Sequence, residues 1–138
     1  MVLSDTISLS TKGFCDIQDI TSPVAATVGK SKIKDGMVTV FCPGSTGAIT
    51  TIEYESGVLE DLKKAIERMA PAEIPYAHDQ RWGDGNGFSH VRAALIGPSL
   101  TVPVIQGSLS LGTWQQIVFI DFDNRTRRRK IVVQVMGE

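Results

Sequence analysis

Apolar residues occupy both alternating sets of positions in the run from Trp114 to Phe122. Because successive side chains of a β-strand point to opposite faces, a strand with this pattern has to be covered on both faces. A chain of 138 residues is long enough to bury such a strand in one domain without disulfide or metal staples. We therefore expect a single compact domain over residues 1–138.

The remaining segments predict a β-rich α+β fold with mostly antiparallel sheets and two to three helices. Val2–Ser10 is expected to be a strand near a sheet edge, because β-branched and polar residues roughly alternate there. The breaker-rich connection Pro43–Gly47 predicts a hairpin between two adjacent strands. The predicted strands are Val2–Ser10, Met37–Cys42, Ala48–Tyr54, Leu100–Gln106, Trp114–Asp123 and Lys130–Met136, and the predicted helices are Pro23–Val28, Val58–Met69 and Asn86–Ile96.

Three alternating glycines, Gly83, Gly85 and Gly87, run into the last predicted helix. Glycines let backbone N–H groups approach a ligand closely, and a helix beginning near Asn86 adds unpaired N–H groups and a positive dipole end. This arrangement favours a phosphate held by Gly85, Asn86 and Gly87. The alternative is a tight turn followed by a helix cap.

His90 is one of only two histidines in the chain. Helical geometry places it off the face formed by Phe88, Val91 and Leu95, which we expect to pack on the core. His90 could donate a proton to a leaving group, bind phosphate or ligate a metal ion. It could also be a surface histidine without a role.

Asp84 and Glu53 are the acidic candidates for a divalent metal site. If the glycine loop folds back, His78 and His90 could share a site with either carboxylate, a donor set that suits zinc or another divalent ion. His78 is expected in an extended segment, because Pro75 precedes it. Asp84 could equally be a turn residue, and Glu53 could lie at an exposed strand end.

Four other polar residues are candidates for binding substrate. Ser45 and Thr46 could hold phosphate oxygens or only form a turn with their hydroxyls. Gln115 lies in a run that is apolar on both faces, so an inward amide would need a ligand or a neighbouring backbone as its partner. Arg127–Arg129 is expected to form a solvated turn before the last strand, and Arg125 or one arginine of that run could reach a phosphate.

Charge and composition exclude several classes of function. With 14 basic and 15 acidic residues, the chain offers no electrostatic footprint for nucleic acid or an anionic membrane. Neither a signal peptide nor a membrane-length apolar run is present, so a cytoplasmic protein is expected. Cys15 and Cys42 lack metal-ligand spacing and are expected to be buried free thiols. There is no serine elbow, Walker loop or Rossmann fingerprint.

Five distinctive blocks follow one another along the chain: Tyr76-Ala77-His78-Asp79, Trp82–His90, Val102-Pro103-Val104 with Gly107, Leu109–Ile117, and Asp121–Arg129 before a valine-rich strand. In composition and order they resemble the YjbQ-like family over nearly the whole chain. The resemblance implies a compact α+β fold that assembles as a homotrimer. It also implies a secondary thiamine-phosphate synthase activity, which joins a pyrimidine pyrophosphate to a thiazole phosphate.

The resemblance also extends to single positions. The family's recurrent polar residues are matched by His78, Asp84, Asn86, His90 and Gln115, and its acidic residue after the second central strand is matched by Glu53. The chain departs from the family in one loop. Where many members have a His-Thr-Thr-Ala pattern, this chain reads Gly44-Ser45-Thr46-Gly47-Ala48, so a histidine is missing.

Three functions are therefore considered. The first is a transferase of the thiamine-phosphate synthase type, in which the glycine loop binds phosphate and His90 and His78 assist departure of pyrophosphate. Magnesium brought with the substrate would be held by Asp84 or Glu53, while Asn86 and Gln115 would orient the substrate. The second is a non-catalytic module that binds a phosphorylated metabolite. The third is a metal-dependent hydrolase with zinc at the two histidines.

Overall fold

The computed structural model describes residues 1–138, which form eight strands and four helices. The strands belong to two antiparallel sheets, so the expected α+β class with antiparallel sheets is confirmed. In chain order the elements are β1 (Val2–Thr11), β2 (Asp16–Asp19), α1 (Thr21–Ser31), β3 (Gly36–Phe41), β4 (Gly47–Ile52), α2 (Ser56–Met69), α3 (Ala77–Trp82), α4 (Gly87–Ile96), β5 (Ser99–Ile105), β6 (Ser108–Leu109), β7 (Gln116–Asp121) and β8 (Arg127–Gly137).

Strand β7 is the central strand of the smaller sheet, which has the order β2-β7-β4. Its side chains from Ile117 to Ile120 are completely buried. Ile117 and Phe119 pack into a core with residues of the larger sheet, whereas Val118 and Ile120 pack into a second core with residues of α2 and α4. The prediction of a strand covered on both faces is confirmed, and the molecule consists of a sheet, a second sheet and a helical layer.

The larger sheet has the order β1-β8-β3-β5-β6, with β1 at its edge as predicted. Strands β1 and β8 pair from Val2 opposite Met136 to Thr11 opposite Arg127. The expectation that Arg127–Arg129 forms a solvated turn is therefore wrong, because these residues open β8. Alternation along the strand turns Arg127 and Arg129 towards buried aspartates and leaves Arg128 exposed.

The predicted hairpin between β3 and β4 is wrong. Strand β3 pairs with β5 and β8 in the larger sheet, whereas β4 pairs with β7 in the smaller one. The connection thus carries the chain from one sheet to the other. Gly47 permits this crossing, because a Cβ there would lie 2.7 Å from the ring of Phe119 and 3.1 Å from the sulfur of Cys42.

Helices α2 and α4 match their predicted positions, while the other two differ from the expectation. Helix α1 begins at Thr21 and continues through Gly29, because burial of Val24 and Val28 stabilises it more than one glycine weakens it. Helix α3 replaces the extended segment predicted around His78, and it ends at Gly83 with a left-handed φ of 71°. None of the four helices is long and apolar enough to span a membrane.

The buried face of α4 also differs from the prediction. Val91 and Leu95 are 41% and 59% exposed, whereas Phe88, Ser89 and Arg92 are buried. Arg92 is tolerated in the interior because its Nε donates to the carbonyl of Ala70 at 2.9 Å and its Nη2 pairs with Glu67. Its guanidinium also lies 4.9 Å from the ring centre of Phe88. The buried face of α4 therefore includes Arg92 and is rotated relative to the apolar face that the sequence predicts.

Candidate functional site

A cleft of about 510 Å³ opens where α3, the start of α4, the start of β8 and the connection between β3 and β4 meet. We call it the histidine cleft. Its lining is polar apart from one tryptophan, which is unusual for a cavity that only results from imperfect packing. The residues that line it are Gly44, Ser45, Thr46, His78, Trp82, Asp84, Asn86, His90, Arg127 and Arg129.

The two histidines meet in this cleft. Helix α3 carries His78, helix α4 carries His90, and the short glycine loop between the helices brings their ring centres to 4.4 Å with a tilt of 46°. The ring of His90 makes no hydrogen bond within the chain, so both of its nitrogens remain available to a ligand. The structure thus brings together the two imidazoles that a folded-back loop would place in one site.

Hydrogen bonds determine which nitrogen of His78 carries the proton. The Asn86 amide nitrogen donates to a carboxylate oxygen of Asp123 at 3.2 Å, so the Asn86 amide oxygen is an acceptor. That oxygen lies 3.0 Å from Nε2 of His78, and an Asp84 oxygen lies 3.1 Å from the same nitrogen. The network thus assigns the proton to Nε2, and the neutral ring keeps a lone pair on Nδ1 for accepting a proton or binding a ligand.

Two buried aspartates pair with the arginines that line the cleft. Asp121 accepts a pair of hydrogen bonds from Arg129, at 2.8 and 2.9 Å, and another from Thr11 at 2.5 Å. Asp123 accepts bonds from Arg127 at 2.9 and 2.6 Å and from Thr46 at 3.1 Å. Neither carboxylate is exposed. Each buried charge is therefore matched by an arginine and by neutral donors.

These contacts keep both aspartates ionised. Burial acts to raise the pKa of Asp123, but hydrogen bonds from the Asn124 backbone, Asn86 and Arg127 outweigh it and hold the pKa at about 2. For Asp121, burial is likewise outweighed by donors, chiefly Arg129, so its pKa lies below the usual range. Hydrogen bonding to Asp121 raises the pKa of Arg129 in turn.

Arg127 and Arg129 retain donors for a ligand. Each uses Nε and Nη2 for bonds to its neighbours within the chain, and Nη1 of neither takes part in an intramolecular hydrogen bond. The side chain of Arg127 is 33% exposed, whereas that of Arg129 is only 10% exposed. The geometry thus presents fixed guanidinium edges, which suit a planar or tetrahedral anion.

The glycine loop has a different role from the predicted phosphate cradle. The backbone N–H of Gly87 already donates to the Asp79 carboxylate at 2.8 Å, which occupies part of the α4 N-terminus. Neither Gly85 nor Gly87 is among the residues that line the cleft. Gly85 has a left-handed φ of 69°, and a Cβ on Gly87 would lie 2.6 Å from that of Tyr76. The alternative of a turn followed by a helix start therefore accounts for these glycines.

Three other sequence candidates lie away from the cleft. Glu53 is exposed beyond the end of β4, roughly 20 Å along an extended chain from Thr46. Gln115 precedes β7 at that same end of the sheet and donates to the Thr51 hydroxyl at 3.1 Å. Arg125 is exposed and does not line the cleft.

Sequence reasoning missed Arg127, Arg129, Asp121 and Asp123 as a unit. A signal for them does exist, because each like-charged pair is spaced by two residues and so lies on one strand face. Two acidic residues followed closely by two basic ones in this spacing indicate two facing sets of charges that neutralise each other. The run of arginines concealed this period.

The residues of the cleft fit a divalent ion only in part. No group of three or more His, Cys, Asp or Glu side chains is arranged to hold a metal, so a zinc site formed by the protein alone does not fit. Magnesium that arrives on substrate phosphates needs only one or two carboxylates. Asp84, whose side chain is 47% exposed, fits that lesser requirement, whereas the distant Glu53 does not.

Relatives of the chain are recognised along its length. The family model described as UPF0047 protein YjbQ-like matches residues 5–138. A UPF0047 protein of Methanothermobacter thermautotrophicus is 41% identical over 137 residues, covering 99% of this chain and 94% of the relative. The UPF0047 protein YugU of Bacillus subtilis is 33% identical over 133 residues, covering 96% and 98%.

Solved structures share the fold. A crystal structure from Sulfolobus solfataricus, described as a YbjQ-like protein of unknown function, superposes with a TM-score of 0.95 at 34% identity. The superposition covers 100% of this chain and 99% of that one. A YjbQ/UPF0047 family protein from Clostridium acetobutylicum gives a TM-score of 0.87 at 35% identity, covering 96% and 99%.

Proposed function

This chain belongs to the YjbQ-like UPF0047 family, and we propose that it is a transferase of the thiamine-phosphate synthase type. In that reaction a pyrimidine pyrophosphate is joined to a thiazole phosphate. One observation carries the proposal: two histidines, with ring centres 4.4 Å apart, line the same cleft as two arginines that retain free donors. The proposed ligand is a small phosphorylated metabolite, bound in the histidine cleft.

The proposed reaction needs help chiefly at the leaving group. The bond between the pyrimidine-bearing carbon and the pyrophosphate oxygen breaks with its electron pair, and the thiazole nitrogen supplies the pair for the new carbon–nitrogen bond. Protonated His90 donates to the departing oxygen, since no group of the chain competes for its ring nitrogens. The free guanidinium edges of Arg127 and Arg129 stabilise the charge that collects on the pyrophosphate.

His78 has a second part in this proposal. Its Nε2 proton is hydrogen-bonded to Asp84 and Asn86, so Nδ1 is the nitrogen that can accept a proton during the reaction. Asp84 would hold magnesium brought with the pyrophosphate, and the ion would supply further neutralisation of the leaving group. Ser45 and Thr46 line the same wall, although the Thr46 hydroxyl is already engaged by Arg129 and Asp123. Ser45 is the freer of the two to bind a phosphate oxygen.

The test is turnover by the purified protein with both substrates and magnesium. We expect thiamine phosphate from the wild type and at least a roughly hundred-fold lower rate from His90→Ala, in line with loss of a general acid. Val91→Ala is the matched control, because it changes the next residue of α4 on an exposed side. Equal rates for wild type and His90→Ala would contradict the proposal.

A non-catalytic binding module is the second candidate. One observation favours it: Gly44 lines the cleft in the loop where many family members carry a histidine, so the chain lacks a side chain that could take part in chemistry. Stable binding of either substrate without turnover would support this candidate. A metal-dependent hydrolase remains a prediction without a structural observation in its favour, because no side-chain cluster suited to zinc is present.

Two further properties belong to the proposal. We place the protein in the cytoplasm, where the buried thiols of Cys15 and Cys42 would stay reduced. We also expect it to act as a homotrimer. Support for self-association comes from a row of apolar side chains on the outer face of the larger sheet, where Val2, Met136, Met37 and Pro103 are neighbours across four strands.

A further inference from the structure

The outer face of the larger sheet contains a second cavity, of about 620 Å³, whose lining includes neither histidine. We call it the sheet-face groove. It lies at the opposite end of β1 from the apolar row. Its lining comes from β1, β8 and the proline that follows β3: Thr6, Ser8, Leu9, Ser10, Pro43, Arg128, Arg129, Lys130 and Val132.

The groove combines cations with hydroxyls in strand register. Ser8 lies directly opposite Lys130, and Ser10 lies directly opposite Arg128. Side chains at such paired positions have Cβ atoms about 5 Å apart, so each hydroxyl can reach the anion bound by the cation across from it. Thr6 continues the same row of hydroxyls on β1.

The two cations lack acidic partners. Neither Arg128 nor Lys130 forms a salt bridge, although five other basic side chains of the chain do so. No carboxylate lines the groove. In a chain whose net charge is −1, this is a local concentration of uncompensated positive charge in a concave site.

From this arrangement we propose that the sheet-face groove is a second anion site, which binds the phosphate monoester of a small metabolite. Arg128 and Lys130 supply the charge, and Ser8 and Ser10 supply hydroxyl donors to the remaining phosphate oxygens. A nucleic acid backbone carries many phosphates, and binding it would need more basic residues than the two found here. A single phosphate group matches the number of donors present.

The groove and the histidine cleft share one lining residue. Arg129 lines both cavities, and Pro43 of the groove is followed directly by Gly44 of the cleft. If the proposed transferase function holds, on which this step rests, the cleft takes the pyrophosphate and the groove takes the phosphate of the thiazole substrate. The thiazole ring would then extend past Gly44 towards the reacting carbon.

The experiment titrates inorganic phosphate into the ¹⁵N-labelled full chain at constant ionic strength and follows backbone amide shifts. We expect the amide chemical shifts of residues 8–10 and 128–130 to change with phosphate concentration along a single saturating binding curve. The double variant Arg128→Gln/Lys130→Gln should weaken that curve about ten-fold or more, because it removes charged donors. Lys63→Gln/Lys64→Gln, which makes the same charge change on exposed residues of α2, should leave the curve unaltered.

Two results would overturn the groove as an anion site. One is the absence of a saturating shift at residues 8–10 and 128–130, and the other is a curve that the groove double variant does not change. Kinetics then test its assignment to the thiazole substrate: the double variant should raise KM for thiazole phosphate about ten-fold and leave KM for the pyrimidine pyrophosphate unchanged. Absence of turnover in the wild type would defeat the proposed function alone, because the phosphate titration judges the groove without it.

Discussion

At the scale of single residues, the cleft depends on a relay of hydrogen bonds rather than on the histidines alone. Asp123 receives Arg127 on one oxygen and Asn86 on the other, and Asn86 passes the constraint to His78. An acceptor-only carboxylate at the start of this relay determines the direction of every following bond. The buried aspartate thereby sets the proton position on a ring that it does not touch.

This relay makes a spectroscopic prediction for His78. When the His78 ring is uncharged, ¹⁵N spectra of the imidazole should show the Nε2–H form as the main tautomer. The double variant Asp84→Ala/Asn86→Ala removes both acceptors and should shift the ring towards a mixture of tautomers, while the signals of His90 keep their tautomer ratio. A wild-type His78 that is mainly protonated at Nδ1 would refute the assigned network.

At the scale of elements, two helical glycines should respond to alanine in opposite directions. A Cβ on Gly87 would lie 2.6 Å from the Tyr76 Cβ and 3.1 Å from an Asp79 oxygen, so Gly87→Ala has to displace α3 from α4. We expect the free energy of unfolding to fall by about 1–3 kcal/mol. Gly29 in α1 has nothing within 4 Å, and Gly29→Ala should raise it by about 0.5–1 kcal/mol.

Denaturant unfolding of the two variants beside the wild type gives these differences directly. A loss of stability in Gly29→Ala equal to that in Gly87→Ala would mean that helix packing does not distinguish the two sites. A neutral Gly87→Ala would show that α3 can move away from α4 without penalty. In that case the histidines that these helices carry would not be held together by the contact.

Elements with a strong period could be predicted from the sequence, whereas their partners could not. The apolar run of β7 is buried on both faces as predicted, and the amphipathic pattern of α2 predicts the position of that helix correctly, although Ile66 is its only buried residue. The prediction of a hairpin between β3 and β4 is wrong because the sheet to which each strand belongs depends on strands distant in sequence. The extended segment predicted around His78 is wrong because α3 is held by contacts that no local pattern encodes. One of them is the hydrogen bond from the Gly87 backbone N–H to the Asp79 carboxylate.

The candidate site shows the same division. The histidines and Asn86 were identified because rare or turn-forming residues cluster in the sequence. Glu53 and Gln115 were assigned to the same site, but antiparallel pairing of β4 with β7 places them at the far end of the sheet. Only the register decides which end of a strand lies beside the cleft, and register is a property of two strands together.

At the scale of the whole molecule, the buried aspartates link stability to pH. The pKa of Asp123 is about 2 in the folded protein, below its ordinary value of 3.8. A lowered pKa contributes stability that is fully present above pH 4 and is lost as the pH falls towards 2. The difference corresponds to about 2 kcal/mol. Asp121, also lowered, acts in the same direction.

The measurement is the free energy of unfolding between pH 2 and 6. The wild type should lose stability steadily below pH 4, and Asp123→Asn should start from a lower value and fall less steeply over that range. Glu60→Gln, on the exposed face of α2, should preserve the wild-type slope. Parallel curves for the wild type and Asp123→Asn would remove the aspartate from the account of acid sensitivity.

The outer face of the larger sheet carries the apolar row through which we propose that copies of the chain associate. Met37 lies directly between Met136 on β8 and Pro103 on β5, and it remains 44% exposed in the single chain. A continuous apolar row on an open sheet face favours association, because covering it removes apolar area from water. The proposed homotrimer uses this end of the face and leaves the basic groove at the other end accessible.

Light scattering of the purified protein tests this arrangement. Three chains of 15.0 kDa should give a particle of about 45 kDa. Met37→Asp places a charge in the centre of the apolar row and should reduce the mass to that of one chain without unfolding it, since the side chain lies outside both cores. Met69→Asp changes a methionine of α2 that is 58% exposed, and it should keep the trimer. A charge at Met37 would disrupt any contact that covers the apolar row. A trimer that survives Met37→Asp would therefore have to form through another surface, and the apolar row would then need a different partner.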